Sequence, residues 1–105
     1  MNQLTNRVTM VRYTLKPGMN EENERLSGAV FDQLRAQAPE GIAYATFRDG
    51  DEWLHLMVNF EGDNSDAVTA SPEFDAFQAE ISARCAVPPQ PVRLSVAPVE
   101  RYGFA

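Results

Sequence analysis

The 105-residue chain is poor in the residues that disulfides, metal centres and nucleic-acid interfaces require. It has one cysteine, Cys85, so it can form no internal disulfide. It has one histidine, His55, and one Cys with one His cannot complete a tetrahedral zinc site within a single chain. No metal is expected. Lysine occurs once, at Lys16, and nine basic residues stand against fifteen acidic ones, for a net charge of −6 and a pI of about 4.6. Phosphate neutralisation needs clustered Lys and Arg, so no nucleic-acid partner is expected. No apolar run approaches the ~18 residues of a membrane-spanning helix, so no membrane partner is expected either. Residues 1–7 lack the apolar core of a signal peptide, and a free thiol suits a reducing compartment, which points to the cytoplasm. GxGxxG, phosphate-loop and nucleophile-elbow patterns are all missing, which argues against nucleotides, Rossmann-type flavin binding and hydrolase chemistry. No cofactor is expected.

What is present is a regular alternation of strand and helix signals across one domain, residues 1–105. Residues Arg7 to Leu15 (RVTMVRYTL) are β-branched and aromatic, and Lys16-Pro17-Gly18 closes them. Asn20 then opens a helix as its cap, with Glu21, Glu22 and Glu24 where the macrodipole favours negative charge. Leu26, Val30, Leu34 and Ala38 recur every four residues, Phe31 widens the stripe, and Glu21 and Arg25 form an i,i+4 pair. Pro39 and Gly41 stop this helix. Ile42–Arg48 and Trp53–Phe60 read as two strands joined by an Asp49-Gly50-Asp51 hairpin. Ser71-Pro72-Glu73 opens a second helix with the stripe Phe74, Phe77, Ile81 and Cys85 (or Ala86) and a Glu80–Arg84 pair. The turn Val87-Pro88-Pro89-Gln90-Pro91 ends it, and Val92–Val99 is the last strand, with Pro98 marking an edge or an end.

The order β-α-β-β-α-β is the ferredoxin-like α+β arrangement, a four-stranded antiparallel sheet with both helices on one face. Strand alternation then divides the third strand into an apolar row, Leu54, Leu56, Val58 and Phe60, and a mixed row, Trp53, His55, Met57 and Asn59. The apolar row suits packing against helices. The mixed row, together with Ile42 and Tyr44, is too apolar for a fully solvated face. It is expected to line a half-buried cavity or to meet a second copy, giving a homodimer packed sheet to sheet.

The order of elements, the run VRYTLKPGMNEENERL, the strand WLHLMVNFEG and the helix SPEFDAFQAEI together resemble the dimeric α+β barrel superfamily. Within it they are most similar to the antibiotic biosynthesis monooxygenase group. The resemblance implies a sheet-to-sheet dimeric barrel. It also implies a cofactor-independent monooxygenase acting on a small aromatic or quinol-like substrate. The polyketide-quinone branch of that group places an Asn, a Trp, a Tyr and an Arg around its substrate, and this chain offers Asn59, Trp53, Tyr44 or Tyr13, and Arg12 or Arg93. The heme-degrading branch uses a His on a helix or adjacent loop; here the one His is on a strand, which disfavours heme.

The candidate catalytic residues are His55, Tyr44 and Arg12, with Trp53, Met57 and Asn59 as substrate-binding residues. A base is needed to make a carbanion or phenolate that can reduce O₂, and a donor is needed to hold the oxyanion. His55 titrates near neutrality and is the natural base; its other reading is a structural His hydrogen-bonded inside the barrel or across the dimer. Arg12, on a central strand, calls for a carboxylate, either a ligand's or that of a neighbouring Glu or Asp. Trp53 also reads as a rim residue or dimer anchor, Cys85 as a buried structural thiol, and Asp49, Asp51 and Glu52 as a solvated hairpin. The alternative function is a non-catalytic module that binds a small molecule or dimerises.

Overall fold

The computed structural model describes residues 7–60 and 65–94. Strand β1 (Arg7–Leu15) leads to helix α1 (Asn20–Gln37), then to strands β2 (Ile42–Asp49) and β3 (Glu52–Asn59). Three short helices follow, α2 (Asp66–Thr69), α3 (Pro72–Gln78) and α4 (Ile81–Arg84), before strand β4 (Cys85–Leu94). The strands form one antiparallel sheet in the order β2-β3-β1-β4, so β1 and β3 are central, as the ferredoxin-like order requires. Asp49 pairs with Glu52 across the β2–β3 hairpin, and Gly50 supplies the left-handed backbone (φ 61°) the tight turn needs. Ser71 caps α3 by accepting the Phe74 N–H at 3.1 Å, with Pro72 in the first turn.

The chain between Asp66 and Leu94 departs from the expected single helix and short strand. The second helix breaks at Ala79–Glu80, and Cys85 begins β4 rather than ending a helix. The proline run 87–91 lies within β4 instead of forming a turn. Proline is tolerated there because β4 is an edge strand with a neighbour on one side alone, and the β1–β4 register slips on either side of Thr14. The end of the expected last strand, residues 95–99, lies outside the described residues. The single turn α2, which carried no clear sequence signal, brings the buried Val68 into the core.

The two faces of the sheet are exchanged relative to the sequence expectation. The mixed row is the one beneath the helices: Trp53 and His55 are buried with Tyr13, Leu15, Val30 and Phe77. The apolar row faces the other way. There, Val58 is buried, Val8, Met10, Leu54 and Leu56 are half-buried, and Phe47, Val92 and Leu94 are exposed, Phe47 at 55%. The physical reason is that the polar atoms of the mixed row meet protein groups rather than water. Trp53 Nε1–H donates to Asn20 Oδ1 at 2.8 Å, and Asn59 Nδ2–H donates to Ser65 Oγ at 3.3 Å. A satisfied polar group can be buried, and its bulky ring then adds to the core.

Several local pairings differ for the same reason. Asn20 does not cap α1 with its side chain; its amide spans Trp53 and Asp51, donating to Asp51 Oδ1 at 2.7 Å. Arg25 pairs with Glu22 at 2.8 Å rather than with Glu21. Arg84 is buried and turned inward rather than paired with Glu80.

Because α3 is seven residues long and presents Phe74 and Phe77 to the core, its cap matters more than its propensity. Ser71→Ala is expected to lower stability by about 1 kcal/mol, read as a lower urea midpoint with an unchanged slope.

Candidate functional site

Three aromatic side chains meet on the helix-covered face because of the strand register. Val11 of β1 and Thr46 of β2 flank His55 directly. Tyr13 and Tyr44 sit one diagonal step away, within reach of long side chains. The Tyr13 hydroxyl lies 2.7 Å from His55 Nε2, and the Tyr44 hydroxyl lies 2.6 Å from Nδ1. Asn23, on the inward face of α1, donates from Nδ2 to the Tyr13 oxygen at 2.8 Å. Arg84 then donates from Nε to Asn23 Oδ1 at 3.1 Å, and its second nitrogen donates to the Phe77 carbonyl at 2.8 Å. Trp53 stacks beside Tyr13 and His55 with ring centres 6.3 Å away in each case.

This cluster forms one wall of a cavity of about 140 Å³ between the sheet, α2 and α3. The remaining wall is mainly apolar, with Val11, Met57, Val68, Phe74 and Phe77. A dry cavity of about 150 Å³ is known to hold one benzene ring, so the space fits a single aromatic ring.

Burial sets the charge state of the wall. His55 is 5% exposed, and desolvation lowers its pKa to about 4. Burial also pushes the Tyr13 and Tyr44 hydroxyls above their ordinary range. All three are therefore neutral at pH 7. Such a wall can hydrogen-bond an oxygen on a ligand and pass a proton along the chain, but it offers no fixed charge.

The structure brings His55, Tyr44 and Met57 together at this cavity, and Tyr13 with them. Arg12 is not there. It lies on the opposite face of β1, exposed, and pairs with Glu52 at 2.9 Å, so a neighbouring acid answers its charge. Arg93 is exposed on the edge strand. Trp53 is buried beside the cluster, in the core beneath the helices, and Asn59 is buried at the far end of β3; neither lines the cavity. Cys85 is buried, and burial raises its thiol pKa, which leaves it a poor nucleophile. Among the described residues no three His, Cys, Asp or Glu side chains converge on a metal position, and no helix is long and apolar enough to cross a membrane.

Asn23 escaped the sequence reading, and Arg84 was read there as the helix-surface partner of Glu80 rather than as part of this site. Asn23 lies three residues before Leu26 and seven before Val30, on the stripe itself. A polar residue at that spacing was the available signal.

No family model matches the chain, and no curated protein matches it. Solved structures do share its fold. A protein provisionally named an antibiotic biosynthesis monooxygenase, from Nitrosomonas europaea, superposes with a TM-score of 0.70 at 10% identity, over 88% of this chain and 90% of its own. A second so named, from Caulobacter crescentus, gives 0.70 at 17% identity over 86% and 88%. A third, titled antibiotic biosynthesis monooxygenase, gives 0.68 at 19% over 87% and 98%. The chain thus has the ferredoxin-like α+β fold of the antibiotic biosynthesis monooxygenase-like proteins. At these identities the likeness is one of fold, and chemistry must be argued from the site.

The buried neutral His55 makes stability depend on pH. Its unfolded pKa is 6.5 and its folded pKa about 4. Its contribution is therefore complete above pH 6.5 and is lost as pH falls toward 4, where the loss reaches about 3 kcal/mol. Urea melts across that window should show a steeper fall for the native protein than for His55→Gln.

Proposed function

We propose that this protein is a cofactor-independent monooxygenase that binds a single-ring phenol or quinol in the cavity and oxygenates it with O₂. The observation that supports this reading is the Tyr13–His55–Tyr44 wall on a mainly apolar space of one ring's size. The substrate hydroxyl passes its proton to the Tyr13 oxygen as the Tyr13 proton moves to His55 Nε2. Tyr44, on the other side of the imidazole, donates a hydrogen bond to the second oxygen of a quinol. The electron-rich ring then reduces O₂ and forms a carbon–oxygen bond at a ring carbon. Loss of water leaves a carbonyl there, so that phenol plus O₂ becomes quinone plus water. One oxygen atom enters the product, the other leaves as water, and the substrate supplies all four electrons.

One observation favours a second reading, reversible binding without turnover. Both ring nitrogens of His55 already have partners, and burial weakens its affinity for a proton. Oxygen uptake measured across a panel of single-ring phenols and quinols separates the two. The oxygenase reading expects uptake with a substrate, and a loss of about a hundredfold or more in kcat for His55→Ala. Binding of panel members with no uptake identifies the non-catalytic module, and uptake unchanged in His55→Ala removes the relay.

We also propose that two copies pack their open sheet faces together. An apolar face built from Met10, Ala45, Phe47, Leu54, Leu56 and Val92 is unusual on a monomer, and the Arg12–Glu52 ion pair stands on it beside Leu54. Leu56→Asp should halve the mass in light scattering while circular dichroism stays native. A native protein that is monomeric at micromolar concentration overturns the dimer.

A further inference from the structure

We infer that Arg84 and Asn23 are positioning residues that fix the direction of the buried hydrogen-bond chain. The cavity then presents the Tyr44 hydroxyl proton and takes a ring compound carrying an acceptor oxygen, a carbonyl or a phenolate. The ligand half of this inference rests on the cavity being the ligand site, as proposed above; the direction of the chain does not.

The direction follows from what each group can donate. A guanidinium has donors and no acceptor. Arg84 Nε–H, 3.1 Å from Asn23, must therefore meet the amide oxygen, so the amide nitrogen faces Tyr13. The Tyr13 oxygen accepts that bond and keeps its own proton for His55 Nε2. A neutral imidazole with a bare Nε2 carries its proton on Nδ1, which donates to the Tyr44 oxygen. In the opposite tautomer the Tyr13 oxygen would accept from both Asn23 and His55, and its own buried proton would have no acceptor. The Tyr44 proton is then the one left over. Besides His55, the Tyr44 hydroxyl has the Thr46 hydroxyl as a neighbour, and it lines the cavity.

A second observation reinforces the first. Arg84 is 5% exposed, and among the described residues no carboxylate lies within ion-pair distance of it. The Phe77 carbonyl at 2.8 Å and the Phe77 ring, 5.2 Å from the guanidinium carbon, hold it in place. A cation anchored at one end of a chain of dipoles orients them all in one sense, each oxygen toward the charge and each proton away.

The test uses the single histidine. In ¹⁵N-labelled full-length protein, long-range proton–nitrogen correlation reports which His55 nitrogen carries the proton. The expected result is Nδ1–H, the minor tautomer of free histidine. Asn23→Asp is isosteric and keeps an acceptor for Arg84, but it accepts from Tyr13 instead of donating to it. That change should invert the chain and move the proton to Nε2. Arg84→Met frees Asn23 to turn over and should give both tautomers. Nε2–H in the native protein, Nδ1–H retained in Asn23→Asp, or a pure Nδ1–H state in Arg84→Met overturns the directing role.

The ligand half is read with acetophenone and its carbon isostere α-methylstyrene. Acetophenone should bind several-fold more tightly, and Tyr44→Phe should abolish the difference. Equal binding to the native protein overturns the acceptor preference alone. If neither probe binds, the acceptor preference fails together with the cavity reading, while the tautomer spectrum still decides the direction of the chain.

Discussion

A neutral histidine can be buried between a sheet and its helices only if both ring nitrogens find partners. That requirement organises the interior of this protein. Tyr13 and Tyr44 meet His55 from strands on either side of it, Asn23 of α1 meets Tyr13, and Arg84 at the end of α4 meets Asn23. The chain thus crosses from β2 through β3 and β1 into helices α1 and α4. Its members hold the elements in one relative position with directional contacts, where apolar packing alone would tolerate sliding. The same arrangement is what the cavity sees as its polar wall.

Much of the architecture was legible because punctuation and periodicity agreed. Asp49-Gly50 announced the hairpin, Ser71-Pro72 the start of α3, and the four-residue recurrence from Leu26 the helix α1. The second half of the chain was less so. A proline run reads as a turn unless the strand containing it is known to lie at an edge, and edge position is a property of the whole sheet. The break of the second helix at Ala79–Glu80 has no proline or glycine to mark it. It follows from Arg84 turning into the core and from β4 pairing with β1 as early as Cys85.

The orientation of the sheet could not be decided by alternation. Period-two patterning tells which residues share a face, not which face the helices cover, and here both faces are rich in apolar groups. Polarity misled because hydrogen-bonding capacity was read as a preference for water. His55, Trp53 and Asn59 are inside because partners await them there. Arg12, one residue from Tyr13, is outside with Glu52 for the same geometric reason. That His55, Tyr44 and Met57 line one cavity was nonetheless legible, since all three lie on one pleat face of adjacent strands.

The buried guanidinium is the costliest part of this interior, since desolvating a cation costs several kcal/mol before its hydrogen bonds offset it. A hydroxyl or amide in its place would satisfy the Phe77 carbonyl at lower cost. Those groups both donate and accept, so they would leave Asn23 free to present either end, and His55 free to take either tautomer. A donor-only group removes that ambiguity. The cation is therefore better explained by the directionality it imposes than by the stability it adds. It acts through neutral intermediates, so a wall with no charge of its own still carries a defined polarity to the cavity.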